Sequence, residues 1–133
     1  MMPLPLQCFE RKRFPLQTEL QESREEKLQK QEKKLLCRLC GEVITSDNNR
    51  ISVNDAHIHT RQNPAGLTFT FACFDAAPGC SIRGKETREH TWFSGYYWQI
   101  AVCAGCGEHL GWSFKNSSRF YGLIVDRLTD SES

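Results

Sequence analysis

The sequence predicts a mainly β protein: two small antiparallel sheets pinned by a structural four-cysteine zinc site, preceded by a charged leader. Three observations lead there. From Cys37 onward the chain runs in short segments of alternating polarity, broken by Gly, Pro, Asn and Asp. Two Cys-x-x-Cys-Gly units bracket most of that region, Cys37-Arg-Leu-Cys40-Gly41 and Cys103-Ala-Gly-Cys106-Gly107. No strong helical pattern and no strand–helix alternation follows Cys37, so a parallel sheet is not expected.

The texture of the chain divides it into a leader over residues 1–36, a domain over 37–128 and a short tail over 129–133. Glu10 to Leu36 is dense in charge and, after Pro15, free of Gly and Pro. Glu26 and Lys30 form a favourably oriented i,i+4 pair. Leu16, Leu20, Leu28 and Leu35 make only a thin, broken apolar stripe. The leader is therefore expected to be a solvated helix or partly disordered, with docking to a protein partner as the alternative. In the N-terminal MMPLPLQCFERKRFPLQ the charges follow the apolar part rather than precede it, so no secretory signal is read. A cytoplasmic or nuclear location is the expectation.

The strands come next, in order. SDNNR at 46–50 and QNPAG at 62–66 carry turn residues. LTFTFAC places Leu67, Phe69 and Phe71 on one face and Thr68 and Thr70 on the other. YWQIAVC, from Tyr97, aligns Trp98, Ile100 and Val102, and HLGWSF follows from His109 with Trp112 and Phe114 on one face. These two segments form the arms of a hairpin whose tip is the second cysteine unit. RFYGLIV, from Arg119, is the last clear strand.

Each cysteine unit reads as a zinc knuckle. Two thiolates three positions apart reach one cation from a tight turn, and the following glycine tolerates the left-handed backbone such turns need. Together, Cys37, Cys40, Cys103 and Cys106 complete a tetrahedral shell with no open position for a catalytic water. A redox-active Cys-x-x-Cys would want a single pair at a helix N-terminus. The chain's seven cysteines, an odd number, do not make a complete disulfide framework. Cys73 and Cys80 are read as buried, inert thiols. His57, His59 and His109 are read as ordinary surface or core residues.

All three tryptophans, Trp92, Trp98 and Trp112, lie within HTWFSGYYWQIAVCAGCGEHLGW. Two roles compete for them: filling a core, or walling a box with Phe114 or backbone at its bottom. A box of this kind takes flat, weakly polar or cationic groups. Hydrophobic residues make up 39% of the chain and charged residues 25%, with a net charge of +1. That balance offers no broad attraction to nucleic acid or to an anionic membrane. No apolar run approaches the roughly 18 residues needed to span a bilayer.

The run Trp92-Phe93-x-Gly95-Tyr96-x-Trp98, the second knuckle and His109-Leu110-Gly111-Trp112-x-Phe114 resemble the CULT domain, the thalidomide-binding domain of the cereblon family. Asn63-Pro64-x-Gly66 and Phe120-x-Gly122-Leu123 extend the resemblance, which runs from Cys37 to about Leu128. It implies a β-tent fold with one zinc ion on the four knuckle cysteines. It also implies a cage of Trp92, Trp98 and Trp112 with Phe114 at its base, holding a cyclic imide such as glutarimide, or a uracil- or uridine-like ring. The imide edge would bond to backbone at His90 and Trp92, with Asn63 and Pro64 alongside. Ala65 stands where the vertebrate receptor has a histidine, and Ser94 replaces a common proline.

The function expected from this is a non-catalytic, zinc-stabilised module that binds such a ring, free or as part of a protein terminus. One alternative is a substrate receptor of a cullin-RING ubiquitin ligase. In the receptor that role uses a Lon-like domain and an adaptor-gripping helical segment, more than residues 1–36 are expected to encode. The other alternative is a methionine sulfoxide reductase of the B type, which shares the zinc-pinned β-tent. Such an enzyme needs a catalytic cysteine on a late strand, and no cysteine follows Cys106.

Overall fold

The computed structural model describes residues 33–131. In order these form β1 (Lys34–Cys37), β2 (Val43–Ser46), a 3-10 turn (Asp47–Asn49), β3 (Ile58–Gln62), β4 (Thr68–Phe74) and β5 (Cys80–Thr87). There follow β6 (Tyr97–Cys103), β7 (His109–Lys115), β8 (Arg119–Ile124), a second 3-10 turn (Val125–Arg127) and β9 (Leu128–Asp130). Two antiparallel sheets result, one ordered β9-β1-β2 and the other β3-β4-β8-β7-β6-β5. Among the described residues there is no α-helix, and no helix long and apolar enough to cross a membrane.

Why the larger sheet is so apolar follows from its two covered faces. In β4, Phe71 and Cys73 turn one way, towards Phe93, Trp112, Phe114, Phe120 and Ile124. Ala72 and Phe74 turn the other way, towards Leu35, Ile44, Leu110 and Leu123. Leu35 and Ile44 come from the small sheet, which therefore covers one face. Phe93, from the segment between β5 and β6, covers the other, with its ring 4.9 Å from that of Phe114. Burying a side chain of this size contributes about 1.5–3 kcal/mol.

The segments read as strands are strands, with shifted ends. Leu67 lies just before β4 and is 58% exposed, so it does not share the buried face of Phe71. Val125 belongs to the second 3-10 turn rather than to β8. Most of the expected leader lies outside the described residues. Its last residues, Lys34–Leu36, are in β1, where pairing with both β2 and β9 overrides their helix-forming composition. β5 carries Arg83, Gly84, Lys85 and Glu86 and lies at the sheet edge, where charged residues and a break in the ladder at Gly84 discourage further pairing.

Candidate metal centre and ligand cavity

The two knuckles have the same backbone frame. Cys37 N–H donates to Glu42 O and Gly41 N–H to Cys37 O, both at 2.8 Å. Cys103 N–H donates to Glu108 O and Gly107 N–H to Cys103 O, again at 2.8 Å. Gly41 and Gly107 adopt φ of 82° and 84°, a conformation that disfavours any side chain. Each turn thus aims two sulfurs outward from a closed loop. The knuckles are held to the rest of the fold by Arg38 N–H to Arg127 O at 3.2 Å and Ala104 N–H to Gly79 O at 2.9 Å.

All four sulfurs lie within 4.8 Å of one another. Cys37 Sγ is 3.7 Å from Cys106 Sγ, and Cys40 Sγ is 3.6 Å from Cys103 Sγ. A tetrahedron with metal–sulfur bonds of about 2.3 Å has edges of roughly 3.8 Å, so the cluster has the dimensions of a metal-binding shell. Each short edge joins one knuckle to the other, linking the β1–β2 turn to the tip of the β6–β7 hairpin. Cys37 and Cys103 are buried, whereas Cys40 and Cys106 are exposed. Burial disfavours a thiolate at Cys103, but backbone N–H groups of Cys106 and Gly105 and the Cys40 thiol outweigh it and lower the pKa. Gly105 N–H lies 3.3 Å from that sulfur.

The other candidate ligands are engaged elsewhere. His57 bonds Ile51 O and Arg50, and His59 bonds Ala56 O. Cys73 and Cys80 are free thiols outside the cluster. Desolvation is the main cause that raises both, Cys73 to about 11 and Cys80 to about 12. Cys80 stands across β5–β6 from Cys103.

On the face of the larger sheet away from the small one lies a cavity of about 400 Å³. Its wall contains every ligand-binding candidate named from the sequence: Asn63, Pro64, His90, Trp92, Trp98, Trp112 and Phe114. Phe69, Ile100 and His109 complete it. Strand register explains the central block, because Trp98 pairs with Phe114 and Ile100 with Trp112. Four large side chains on one sheet face are thereby placed side by side.

The remaining walls come from two loops that backbone bonding fixes. Asn63 Oδ1 accepts Leu67 N–H at 2.9 Å and Asn63 O accepts Gly66 N–H at 2.9 Å, closing the 62–66 turn. Trp92 donates its indole N–H to Gln62 O at 3.1 Å, which ties that turn to the second loop. Trp98 donates to Glu89 O at 2.8 Å. His90 sits between these points with φ of 59°. Trp92 meets Trp112 nearly edge to face, with centroids 4.8 Å apart at 80°.

Packing in the core and lining the cavity are not exclusive for these residues. Trp112 is only 7% exposed and belongs to the packed aromatic cluster, yet it also walls the cavity. Trp92 and Trp98 are half-buried and pack against the same cluster. His109, which the sequence presents as an ordinary surface or core residue, lies in the cavity wall. The β6–β7 register shifts between Ala101 and Val102, so Leu110 is the extra residue and His109 pairs with Val102.

No family model matches the chain. Among curated proteins it is similar to cereblon of Gallus gallus, 30% identical over 110 residues, covering 74% of this chain and 25% of that protein. Cereblon of Danio rerio is 32% identical over 102 residues, covering 71% and 24%. Cereblon of Drosophila grimshawi is 31% identical over 91 residues, covering 65% and 13%. The chain spans about a quarter of the length of the two vertebrate relatives. Two antiparallel sheets joined at a four-cysteine cluster, together with this shared sequence, place the chain in the family of cereblon-type CULT domains.

Proposed function

We propose that the domain is a non-catalytic binding module, stabilised by one structural zinc ion, that takes a cyclic imide or a uracil-like ring between its tryptophans. The observation that carries this reading is the cavity itself, which lies within the usual size range of small-molecule sites and is walled by all three indoles. Trp92 and Trp98 have their N–H groups bonded to backbone carbonyls, which fixes the planes of those rings. Such a cavity favours a flat ligand with a few polar edge groups. The ligand could be free or form the end of a protein chain.

Zinc suits the metal site because four thiolates favour a borderline-soft cation with tetrahedral preference. Once bound by Cys37, Cys40, Cys103 and Cys106, the ion would cross-link the two knuckles and leave no coordination position for substrate. Recognition without turnover also fits the cavity wall, which among the described residues contains no cysteine, serine, threonine or carboxylate. A reductase reading has no thiol there to act as nucleophile.

Intrinsic fluorescence tests the proposal, since every tryptophan of the chain borders the cavity. Zinc-loaded protein titrated with glutarimide or with uridine should show a saturable change. Trp98→Ala, at a half-buried wall position, should lose it while keeping its zinc and its melting transition. Folded, zinc-replete protein that responds to neither compound would overturn the proposal.

A further inference from the structure

Two described cysteines lie outside the four-sulfur cluster, and their surroundings differ. Cys73 stands opposite Gly122 in the β4–β8 pair and packs among the aromatic rings. Cys80 packs against the core that contains Cys37 and Cys103, and it stands directly opposite Cys103 in the β5–β6 pair. Four thiolates complete a tetrahedral shell without it. A thiol placed beside a finished shell is free to react with it.

Backbone bonding fixes how closely the two residues approach. Ala104 N–H donates to Gly79 O at 2.9 Å, one step beyond the pair. Cys80 N–H goes to Ala77 O at 3.0 Å and Cys103 N–H to Glu108 O at 2.8 Å, so the two exchange no bonds. Cys80 and Cys103 are therefore a non-hydrogen-bonded antiparallel pair. In such a pair the Cα atoms lie about 4.5 Å apart and both side chains leave the same face of the sheet. Disulfides span Cα separations of about 4.4–6.8 Å, so these sulfurs can join with little backbone movement. Cys80 is also the first residue of an edge strand and only half-buried, which gives a small oxidant a way in.

We propose that Cys80 is the resolving thiol of a redox-sensitive metal site: oxidation joins its Sγ to that of Cys103 and withdraws Cys103 from the metal. This rests on the zinc binding proposed above. A metal-held cysteine is a thiolate, the form that an oxidant attacks. Hydrogen peroxide takes an electron pair from the Cys103 sulfur, and its O–O bond breaks to leave a sulfenic acid and hydroxide. The Cys80 sulfur then attacks the sulfenic sulfur. An S–S bond forms, the S–O bond breaks, and the hydroxyl leaves as water with the Cys80 proton. The two sulfurs have together lost two electrons to one peroxide.

Rival pairs exist inside the cluster, Cys40 with Cys103 at 3.6 Å and Cys37 with Cys106 at 3.7 Å. All four of those sulfurs are ligands of the bound ion, whereas Cys80 is free to turn towards its neighbour. With Cys103 withdrawn, three ligands remain and the link between the β1–β2 turn and the β6–β7 hairpin opens.

The test exposes zinc-loaded protein to hydrogen peroxide. A chromogenic chelator follows zinc, while mass spectrometry of proteolytic fragments maps the disulfides. Cys8 is replaced by serine throughout, so that no thiol outside the described residues takes part. Zinc should leave in step with a Cys80–Cys103 disulfide, and a dithiol reductant should restore both thiols and zinc uptake. Cys80→Ala should hold its full zinc content before oxidation. In excess peroxide it should carry more Cys103 sulfinic acid than the parent and recover less zinc binding, since a sulfenic acid without its partner oxidises further. Cys73→Ala should behave as the parent does. A map showing a rival pair with Cys80 still reduced would overturn the role of Cys80 and leave the metal site standing. So would a Cys80–Cys103 disulfide formed with the zinc retained. A parent that takes up no zinc would overturn the metal reading and the switch together. The map is read on the parent, so it decides the matter even where Cys80→Ala fails to fold.

Discussion

Gly122 stands directly opposite Trp112 in the β7–β8 pair, and a Cβ on that glycine would come within 2.7 Å of the Phe71 ring and 3.1 Å of the Phe114 ring. The aromatic floor beneath Trp112 thus closes only because one strand residue has no side chain. Phe71 cannot easily yield, since it is fully buried and stacked on Trp92 at 5.5 Å and on Phe114 at 6.3 Å. Gly122→Ala is expected to destabilise the domain by about 1–3 kcal/mol through overpacking. It should also weaken ring binding, because Phe71 would move against Trp92. Urea unfolding followed by near-UV circular dichroism measures the first effect. A variant as stable as the parent would mean that the rings have slack the packing does not show.

Metal removal probes the link between the sheets. The four sulfurs join the β1–β2 turn to the tip of the β6–β7 hairpin, beside the buried core that Cys37 and Cys103 share with Leu35 and Ile44. Thiolate sites of this type bind zinc with an apparent free energy of about 10–16 kcal/mol in small peptides, and that energy supports folding. A strong chelator should lower the melting temperature and expose the apolar surface around Leu35 and Ile44 to a hydrophobic dye. Cys106→Ser, at an exposed ligand, should reproduce most of this without creating a core cavity. Identical melting with and without chelator would show that the cluster is not the staple.

Cys73 gives a pH prediction of definite sign. Its side chain is completely buried, and desolvation raises the thiol from 9.0 to about 11, with Arg61 working weakly against the shift. The folded state therefore keeps this proton where the unfolded chain has lost it. Its stabilising contribution is whole below pH 9 and is lost as pH rises towards 11. Unfolding free energy should decline over that window, and decline less in Cys73→Ala once the cavity cost common to all pH values is subtracted. Parallel curves for the two proteins would refute the assignment. At neutral pH, alkylation of Cys73 should be slow until the protein unfolds.

What the sequence disclosed, and what it hid, follows from how local each signal is. Alternation in YWQIAVC and RFYGLIV is a property of a few neighbouring residues, and both segments are strands. The knuckles were equally legible, because the Cys-x-x-Cys-Gly spacing carries its own turn geometry. β1 was hidden because Lys34–Leu36 are good helix formers and their strand partners include Leu128–Asp130, at the far end of the chain. β5 was hidden by its charges and by Gly84, features of an edge that only the sheet order reveals. His109 was hidden by one inserted residue, since a bulge shifts the frame without altering composition. The tryptophans looked ambiguous because an indole has two faces, and here one residue packs the core and borders the cavity at once.

His90 provides the last prediction. It adopts φ of 59°, in the left-handed region, inside the loop that positions two cavity tryptophans. On one side Thr87 Oγ1 accepts Glu89 N–H at 3.1 Å and Glu89 O accepts the Trp98 indole at 2.8 Å. On the other, Thr91 N–H donates to Arg88 O at 3.1 Å, just before Trp92. Histidine tolerates this backbone better than most residues, whereas a β-branched side chain does not. His90→Val is therefore expected to cost about 1–2 kcal/mol of stability and to loosen the loop, while His90→Gly should keep it. Ring binding should follow the same order, strongly weakened in the valine variant and largely preserved in the glycine one, because the backbone bend rather than the imidazole sets the wall. Paired urea unfolding and fluorescence titrations read both quantities. If valine and glycine behave alike, the bend at His90 is not what holds Trp92 and Trp98 in place.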